Sequence, residues 1–296
     1  MCDLTARQTA ASNALLAAAK KGGQAVLFVP TNGPSASGGG LLARDLALLS
    51  PDGDAWFNGS VIDTALAHLQ QFASQQPGLA PVACFPSQYV THVSLEDTQH
   101  KTSMDAAKTW PRPVDDLAAC QHLVFPINHS TLPTQKKHWT VLIVTPLSSS
   151  ITFVDSYHDL PGVDRRCDEA VLGVTKLLQA AGFPQPVGGW KIRMAVSPQQ
   201  PHLTGKCGLF LLAAIRQLII TRKLHFDFTT DDTRRLRASL TLLLPQPVVV
   251  MPSTLRMDGM ERRSAKCAGT APFLSFHMHP HPTHPLSLSS CHCRQC

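Results

Sequence analysis

The sequence predicts an α+β fold, because a pair of β-rich segments stands among several segments with helical periodicity. Residues 138–144 and 151–154 are short apolar runs separated by Pro and Ser residues, a pattern typical of a hairpin. Apolar residues recur at helical spacing in several longer segments. The predicted helices cover residues 56–75, 168–182, 208–223 and 231–244.

The length and composition predict one folded domain with extensions at both ends. The chain has 296 residues, of which 44% are hydrophobic and 16% charged, enough apolar surface for a sizeable core. We expect an N-terminal extension over 1–39, one domain over 40–255, and a His- and Cys-rich tail over 256–296 that is disordered. Within the extension we expect a helix over 1–21, a strand over 24–29 and a Gly-rich loop over 33–40.

Charge and cysteine content exclude several classes of protein. The net charge is +6, and residues 222–296 carry ten Lys or Arg against five Asp or Glu, which we interpret as a solvated basic tail. No apolar stretch is long enough to span a membrane, and the N-terminus lacks a secretory pattern. Nine cysteines, an odd number, without such a signal argue against a disulfide scaffold and for a reducing compartment.

Cys207 is the candidate nucleophile. It opens the most apolar predicted helix, and residues 198–206 before it contain Pro and Gly that prevent a continuous helix. Its sulfur is therefore expected near the free N–H groups and the positive end of that helix, where a thiolate is stabilised. The alternative is a buried structural cysteine, the commoner fate of a Cys beside an apolar helix.

His138 and Asp155 are the candidate partners of that cysteine. His138 begins one strand of the predicted hairpin and Asp155 follows the other. Because an antiparallel ladder pairs the first residue of one strand with the last of the other, the two side chains can meet. Two polar residues flanking a hairpin are also common, and the spacing alone leaves both interpretations open.

Several motifs in a fixed order resemble the ubiquitin-like-protein protease family, the cysteine peptidases that process SUMO and NEDD8. The separations 155 − 138 = 17 and 207 − 155 = 52 are similar to the family's spacings, and the resemblance covers about residues 40–245. The matching segments are Asp45-Leu46-Ala47-Leu48-Leu49, Trp56-Phe57-Asn58-Gly59-Ser60-Val61-Ile62, Phe125-Pro126-Ile127-Asn128, His138-Trp139, Asp155-Ser156, Pro198-Gln199-Gln200-Pro201, Cys207-Gly208, and Phe228 with Asp232 and Arg235.

The resemblance implies a fold and a set of roles. It implies a papain-like or adenain-like α+β fold, with a central, mostly antiparallel sheet and the nucleophile at the N-terminus of a buried helix. Cys207 would be the nucleophile, His138 the general base and then acid, and Asp155 the residue that orients His138. Gln200 would donate to the oxyanion beside the Cys207 N–H.

Two tryptophans are implied to bind the substrate. Trp56 and Trp139 match the family pair that clamps the Gly-Gly tail of a modifier, since flat rings admit glycine and reject residues that have a Cβ. Core packing is the alternative for each, more so for Trp56.

Three positions depart from the family pattern. Lys206 replaces the usual Asp before the nucleophile, and a cation there would favour the thiolate. The loop from Gln200 to Cys207 is one residue longer than usual, so the oxyanion role falls to Gln199 or Gln200; the register favours Gln200. Gly59 replaces an Asp, which bears on substrate recognition more than on chemistry.

The expected function is cleavage after Gly-Gly of a ubiquitin-like modifier through an acyl-enzyme. Alternatives are a peptidase of the same fold acting on a viral- or transposon-like substrate, and a catalytically silent module that binds a modifier. We expect no cofactor and no metal, a modifier or its conjugates as partner, no nucleic acid or membrane partner, a monomer, and a nuclear or cytoplasmic location. The terminal cluster of Cys291, His292, Cys293 and Cys296 is too tight for a structural zinc site.

Overall fold

A five-stranded mixed sheet is the centre of the computed structural model of the chain. The structure describes residues 26–28, 41–50, 54–76, 81–91, 114–129, 138–157, 161–201 and 204–244, together with positions 10 and 17. The strands are β1 Val26–Phe28, β2 Leu41–Leu42, β3 Val82–Cys84, β4 His122–Asn128, β5 Trp139–Thr145, β6 Ser150–Val154 and β7 Lys191–Ala195. β1 and β2 form a separate antiparallel pair, and β3 to β7 form the central sheet in sequential order.

Helices of very different length connect and follow these strands, and four of those described have 14 residues or more. The bounds are α1 Ala43–Leu46, α2 Gly59–Ser74, α3 Gln88–Thr91, α4 Val114–Ala118, α5 Val163–Ala180, α6 Cys207–Thr221 and α7 Thr230–Leu243.

The α+β class and the hairpin predicted from the sequence are confirmed. β5 and β6 pair in antiparallel register from Val141 opposite Val154 to Thr145 opposite Ser150. The sheet is antiparallel at its centre, between β4, β5 and β6, but the two edge pairs β3–β4 and β6–β7 are parallel. The edges are parallel because each edge pair is joined by a crossover that contains helix, as α5 joins β6 to β7.

The predicted helices are present with shifted ends. α2 begins at Gly59, after an Asn58 side chain that accepts from the Val61 N–H and caps it. α5 begins at Val163, five residues before the predicted start at 168, because Gly162 ends the preceding turn with a positive φ of 83°. The predicted strand over 24–29 is present as β1, whereas β2, β3, β4 and β7 were not predicted as strands.

Two apolar cores lie on opposite faces of the sheet. Alternate residues of β5 face opposite sides, with Val141 and Ile143 in one core and Leu142 and Val144 in the other. The first core contains α2, α6 and α7, and the second contains α5. α6 is buried on nearly all sides, so its first residue is held deep in the first core.

Some predictions fall on residues that the structure does not describe. The helix over 1–21, apart from helical positions 10 and 17, the loop over 33–40 and the tail over 256–296 lie outside the described residues. By contacts the chain divides into two units, and the larger, Leu4–Ser253, contains all described residues. The domain boundaries at 39 and 255 stay predictions. Within the described part, no helix has the length and apolar character needed to cross a membrane.

Candidate active site

The hairpin brings His138 and Asp155 into contact at its open end. His138 Nε2 lies 2.7 Å from Asp155 Oδ1, and the side chains are 10% and 1% exposed. The contact follows from the antiparallel pairing of β5 and β6, because this pairing brings the start of β5 and the end of β6 to the same end of the hairpin. The structure therefore brings His138 and Asp155 together, as the sequence predicts.

The Asp155 carboxylate is buried but well supplied with donors. Burial by itself would raise its pKa. The hydrogen bond and charge of His138, the Tyr157 N–H and the Arg166 guanidinium overcome this and lower the pKa of Asp155 to about 2. The carboxylate is therefore ionised at neutral pH and able to orient and stabilise an imidazolium. Ser197 Oγ also donates to the Asp155 carbonyl at 3.0 Å, which ties the end of β6 to the segment after β7.

The His138 ring lies between two other rings. The Tyr157 ring centroid is 5.1 Å away and the His129 centroid 6.2 Å away, both in stacked orientation. Burial, with the charge of His138 second, lowers the pKa of His129 to about 3, so His129 is neutral beside it. His138 Nδ1 is buried and hydrogen-bonds to none of the described residues. Because Nε2 is held by Asp155, Nδ1 is the nitrogen available for proton transfer.

Cys207 is the first residue of α6, as predicted, but it is fully buried. The backbone N–H groups of Cys207 and Gly208 donate to the sulfur, as expected at a helix N-terminus, and so does the N–H of Trp139 at the start of β5. Burial dominates these contacts and raises the pKa of the Cys207 thiol to about 12. The N–H donors lie at the sulfur as the sequence predicts, but burial outweighs them, so in this closed site the sulfur is a thiol and needs a base to take its proton.

Lys206 does not supply the stabilising cation suggested by the sequence. Its Nζ lies 3.6 Å from Asp54 Oδ1, in a pair whose side chains are 29% and 58% exposed. The ammonium is thus engaged at the rim, where it joins the segment before Cys207 to the segment before α2. Such a partly exposed pair contributes little free energy.

Gln200, rather than Gln199, is the buried glutamine. Gln200 is 3% exposed, whereas Gln199 is exposed. The Ser156 hydroxyl donates to Gln200 Oε1 at 2.6 Å, and Gln200 Nε2 donates to the Thr204 carbonyl at 3.0 Å. Because a carbonyl only accepts, these two contacts determine the orientation of the Gln200 amide.

Gly205 allows the segment before Cys207 to lie against Trp56. A Cβ at position 205 would lie 2.1 Å from the Asp54 carbonyl oxygen and 2.9 Å from Trp56 Cδ1. Only glycine fits such a close approach of two backbone segments. The sequence reasoning did not identify this residue.

The two tryptophans have the reverse of the expected exposure. Trp56 is partly buried against the first core, whereas Trp139 is 2% exposed. The Trp139 ring is covered because its Nε1–H donates to the Phe57 carbonyl at 2.7 Å, which draws it into the core. Trp56 is therefore the more accessible of the two candidate substrate clamps.

A second network positions the start of α2 beside the site. Asp45 accepts from the Leu42 N–H at 2.8 Å and from Asn58 Nδ2 at 2.8 Å, and Asn58 caps α2. The Arg237 guanidinium lies 5.1 Å from the Phe57 ring centroid and donates to the Ser50 carbonyl at 3.2 Å. These contacts hold the segment that carries Trp56. Arg235, the arginine named by sequence resemblance, is exposed, and Arg237 is the buried one.

A cysteine at the start of the central helix, a His–Asp pair on a hairpin and a buried glutamine together define a cysteine peptidase of the α+β class. The chain belongs to the Ulp1 protease family: the family's C-terminal catalytic domain matches residues 55–244. No curated protein matches the sequence.

Solved structures of the same family share the fold at low sequence identity. The Ulp1 protease domain in complex with Smt3, the yeast orthologue of SUMO, has a TM-score of 0.62 at 19% identity, covering 82% of this chain and 96% of that chain. SUMO protease Ulp1 with its catalytic cysteine oxidised to a sulfonic acid has the same TM-score and coverage at 18% identity. The Ulp1-like SUMO protease catalytic domain of Chaetomium thermophilum has a TM-score of 0.57 at 18% identity, covering 81% and 90%.

Proposed function

We propose that the protein is a peptidase or isopeptidase that cleaves after the Gly-Gly of a ubiquitin-like modifier, of the SUMO or the NEDD8 class. The observation that carries the proposal is the His138–Asp155 pair, 2.7 Å apart at the open end of the hairpin. Trp139, the residue after His138, donates its backbone N–H to the Cys207 sulfur. Membership of the Ulp1 protease family and the Smt3 complex of one structural neighbour support a modifier as substrate, with SUMO as the first candidate.

The reaction runs through a thioester on Cys207. His138 Nδ1 takes the thiol proton as the sulfur attacks the glycine carbonyl, and the resulting oxyanion accepts from Gln200 Nε2 and the Cys207 N–H. The C–N bond breaks as His138 gives the proton to the leaving amine. Water, deprotonated by His138, then hydrolyses the thioester and restores the thiol. Asp155 stays ionised throughout and holds the imidazole.

Substrate entry accompanies an opening of the site. Because Cys207 is 0% exposed and His138 8% exposed, we propose that the site opens before the glycine tail reaches the sulfur. Trp56, the more accessible of the two rings, is proposed to contact the tail, whereas substrate contact by Trp139, which is 2% exposed, stays a prediction. We also propose a monomeric enzyme acting in the nucleus or the cytoplasm.

The test is covalent labelling of reduced protein with ubiquitin, SUMO and NEDD8 that carry a reactive C-terminus. We expect an adduct with SUMO or NEDD8 that is absent in Cys207→Ala and His138→Ala and retained in the control Cys84→Ala. Folded protein that forms no adduct with any of the three contradicts the proposal. Cleavage of another peptide would then indicate the non-modifier peptidase, and modifier binding without turnover that survives Cys207→Ala would indicate the silent module.

A further inference from the structure

A guanidinium lies on the carboxylate that orients His138. Arg166 Nε and Nη2 donate to Asp155 Oδ2 at 3.0 and 2.8 Å, and the Arg166 side chain is 20% exposed. The same guanidinium donates to the carbonyls of Tyr157 at 3.3 Å and Pro161 at 3.4 Å. Arg166 is therefore held on the turn between β6 and α5 as well as on the carboxylate.

The two oxygens of Asp155 have separate partners. Oδ1 accepts from His138 Nε2 and from the Tyr157 N–H, each at 2.7 Å, whereas Oδ2 accepts both donors of Arg166. A carboxylate held at one oxygen only can turn about its Cβ–Cγ bond. The planar fork of Arg166 on Oδ2 opposes this rotation and keeps Oδ1 toward the imidazole.

The neighbouring arginine provides an internal contrast. Arg165 has a side chain that is 81% exposed and pairs with Glu169 one turn further along α5. The two arginines share the same helix turn and the same charge, but only Arg166 is directed at the site. If only the net charge of the protein mattered, replacing either arginine would change activity equally. An effect that depends on contact with Asp155 is expected for Arg166 alone.

We propose that Arg166 is a positioning residue: it fixes the Asp155 carboxylate so that Oδ1 holds the His138 imidazole in the orientation for proton transfer. This proposal rests on the proposed function, because it assigns His138 as the base for Cys207. Arg166 acts through Asp155, the side chain to which it donates.

The kinetic test compares Arg166→Gln and Arg166→Lys with the matched control Arg165→Gln on a modifier substrate. We expect Arg166→Gln to lower kcat about tenfold with KM within about twofold, since the loss lies in orientation of the base rather than in binding. Arg166→Lys, which keeps the charge but not the fork, should lose about threefold. Arg165→Gln should match the parent.

A double-mutant cycle separates positioning from packing. If Arg166 acts through Asp155, Arg166→Gln in an Asp155→Asn background should change kcat less than about twofold. An equal loss in both backgrounds, or parental kcat in Arg166→Gln, overturns the proposal. If Arg166→Gln does not fold, Arg166→Lys decides, and parental kcat in that variant also overturns it.

A spectroscopic measurement keeps this test independent of peptidase activity. In protein with ¹⁵N-labelled histidine, the ring N–H proton between His138 and Asp155 gives a resonance that disappears in His138→Ala. We expect this resonance to move or broaden in Arg166→Gln and to stay unchanged in Arg165→Gln. An unchanged resonance in Arg166→Gln overturns the positioning role even if no modifier is cleaved, whereas a moved resonance without cleavage contradicts only the proposed function.

Discussion

The His138–Asp155 half of the site and the Cys207–Gln200 half are built in different ways. The first half lies on a hairpin, where the ladder of two adjacent strands brings the side chains to 2.7 Å. The second half lies on the segment from Gln200 to the start of α6, which is held by contacts with distant residues such as Ser156 and Asp54.

The two halves also differ in charge state. The Asp155 carboxylate has enough donors that its pKa falls to about 2 despite burial. The Cys207 thiol has three N–H donors, but burial still raises its pKa to about 12. The difference arises because Asp155 has a cation and an imidazole as partners, whereas the sulfur accepts from neutral backbone amides and the Asp155 charge further disfavours its thiolate. The orienting half therefore carries an ionised carboxylate, whereas the nucleophilic half carries a buried, neutral thiol.

The largest expected effect comes from crowding the nucleophilic half. Gly205→Ala places a Cβ 2.1 Å from the Asp54 carbonyl oxygen, so the backbone must move. We expect the free energy of unfolding to fall by about 3 kcal/mol and labelling of Cys207 by a modifier probe to be lost. Denaturant titration and the labelling assay measure the two effects.

In the control Gly59→Ala, the new Cβ meets only the Ser87 hydroxyl at 3.1 Å, and the loss in free energy of unfolding should stay below about 1 kcal/mol. Parental stability and labelling in Gly205→Ala would contradict the close packing of this segment.

The next effect tests the difference in charge state directly. Because a pKa near 12 lies far above neutral pH, the thiolate fraction of Cys207 should rise about tenfold per pH unit. The absorbance at 240 nm that reports thiolate, taken as the difference between the parent and Cys207→Ala, should therefore increase from pH 7 to pH 10 without a plateau. In urea-denatured protein this difference should level off above about pH 9, near the ordinary pKa of cysteine. A plateau at neutral pH in the native protein would instead indicate a preformed thiolate–imidazolium pair.

The smallest effect concerns the side chain that joins the two halves. The Tyr157 N–H donates to Asp155, and its hydroxyl donates to the carbonyl of Pro201 at 3.2 Å and, more weakly, to that of Thr204 at 3.5 Å. Tyr157→Phe removes only the hydroxyl, so we expect kcat to fall about threefold with little change in KM. Tyr89→Phe, which alters the only other tyrosine of the chain, should leave kcat unchanged. An unchanged kcat in Tyr157→Phe would show that the hydroxyl does not help to hold the loop.

Much of the fold and the orienting half of the site was predictable because the signals are local. The β-rich runs around residues 146–150 predicted the hairpin, and the apolar segment after Cys207 predicted α6. Strand β7 was not predicted, because its alternation of polar and apolar residues, Lys-Ile-Arg-Met, covers only a five-residue edge strand that is exposed along most of its length. Arg166 was missed because the predicted start of α5 at residue 168 left it outside the helix.

The sequence by itself determined which reactive groups the chain carries, their order, and the family to which they belong. Only the tertiary structure decided that Arg166 holds Asp155, that Lys206 pairs with Asp54, that Trp139 is covered and that the Cys207 sulfur is a buried thiol. Residue types and short spacings can be determined from the sequence alone. Burial and ion pairing depend on the sum of contacts from segments far apart in sequence, and these exist only once the chain has folded.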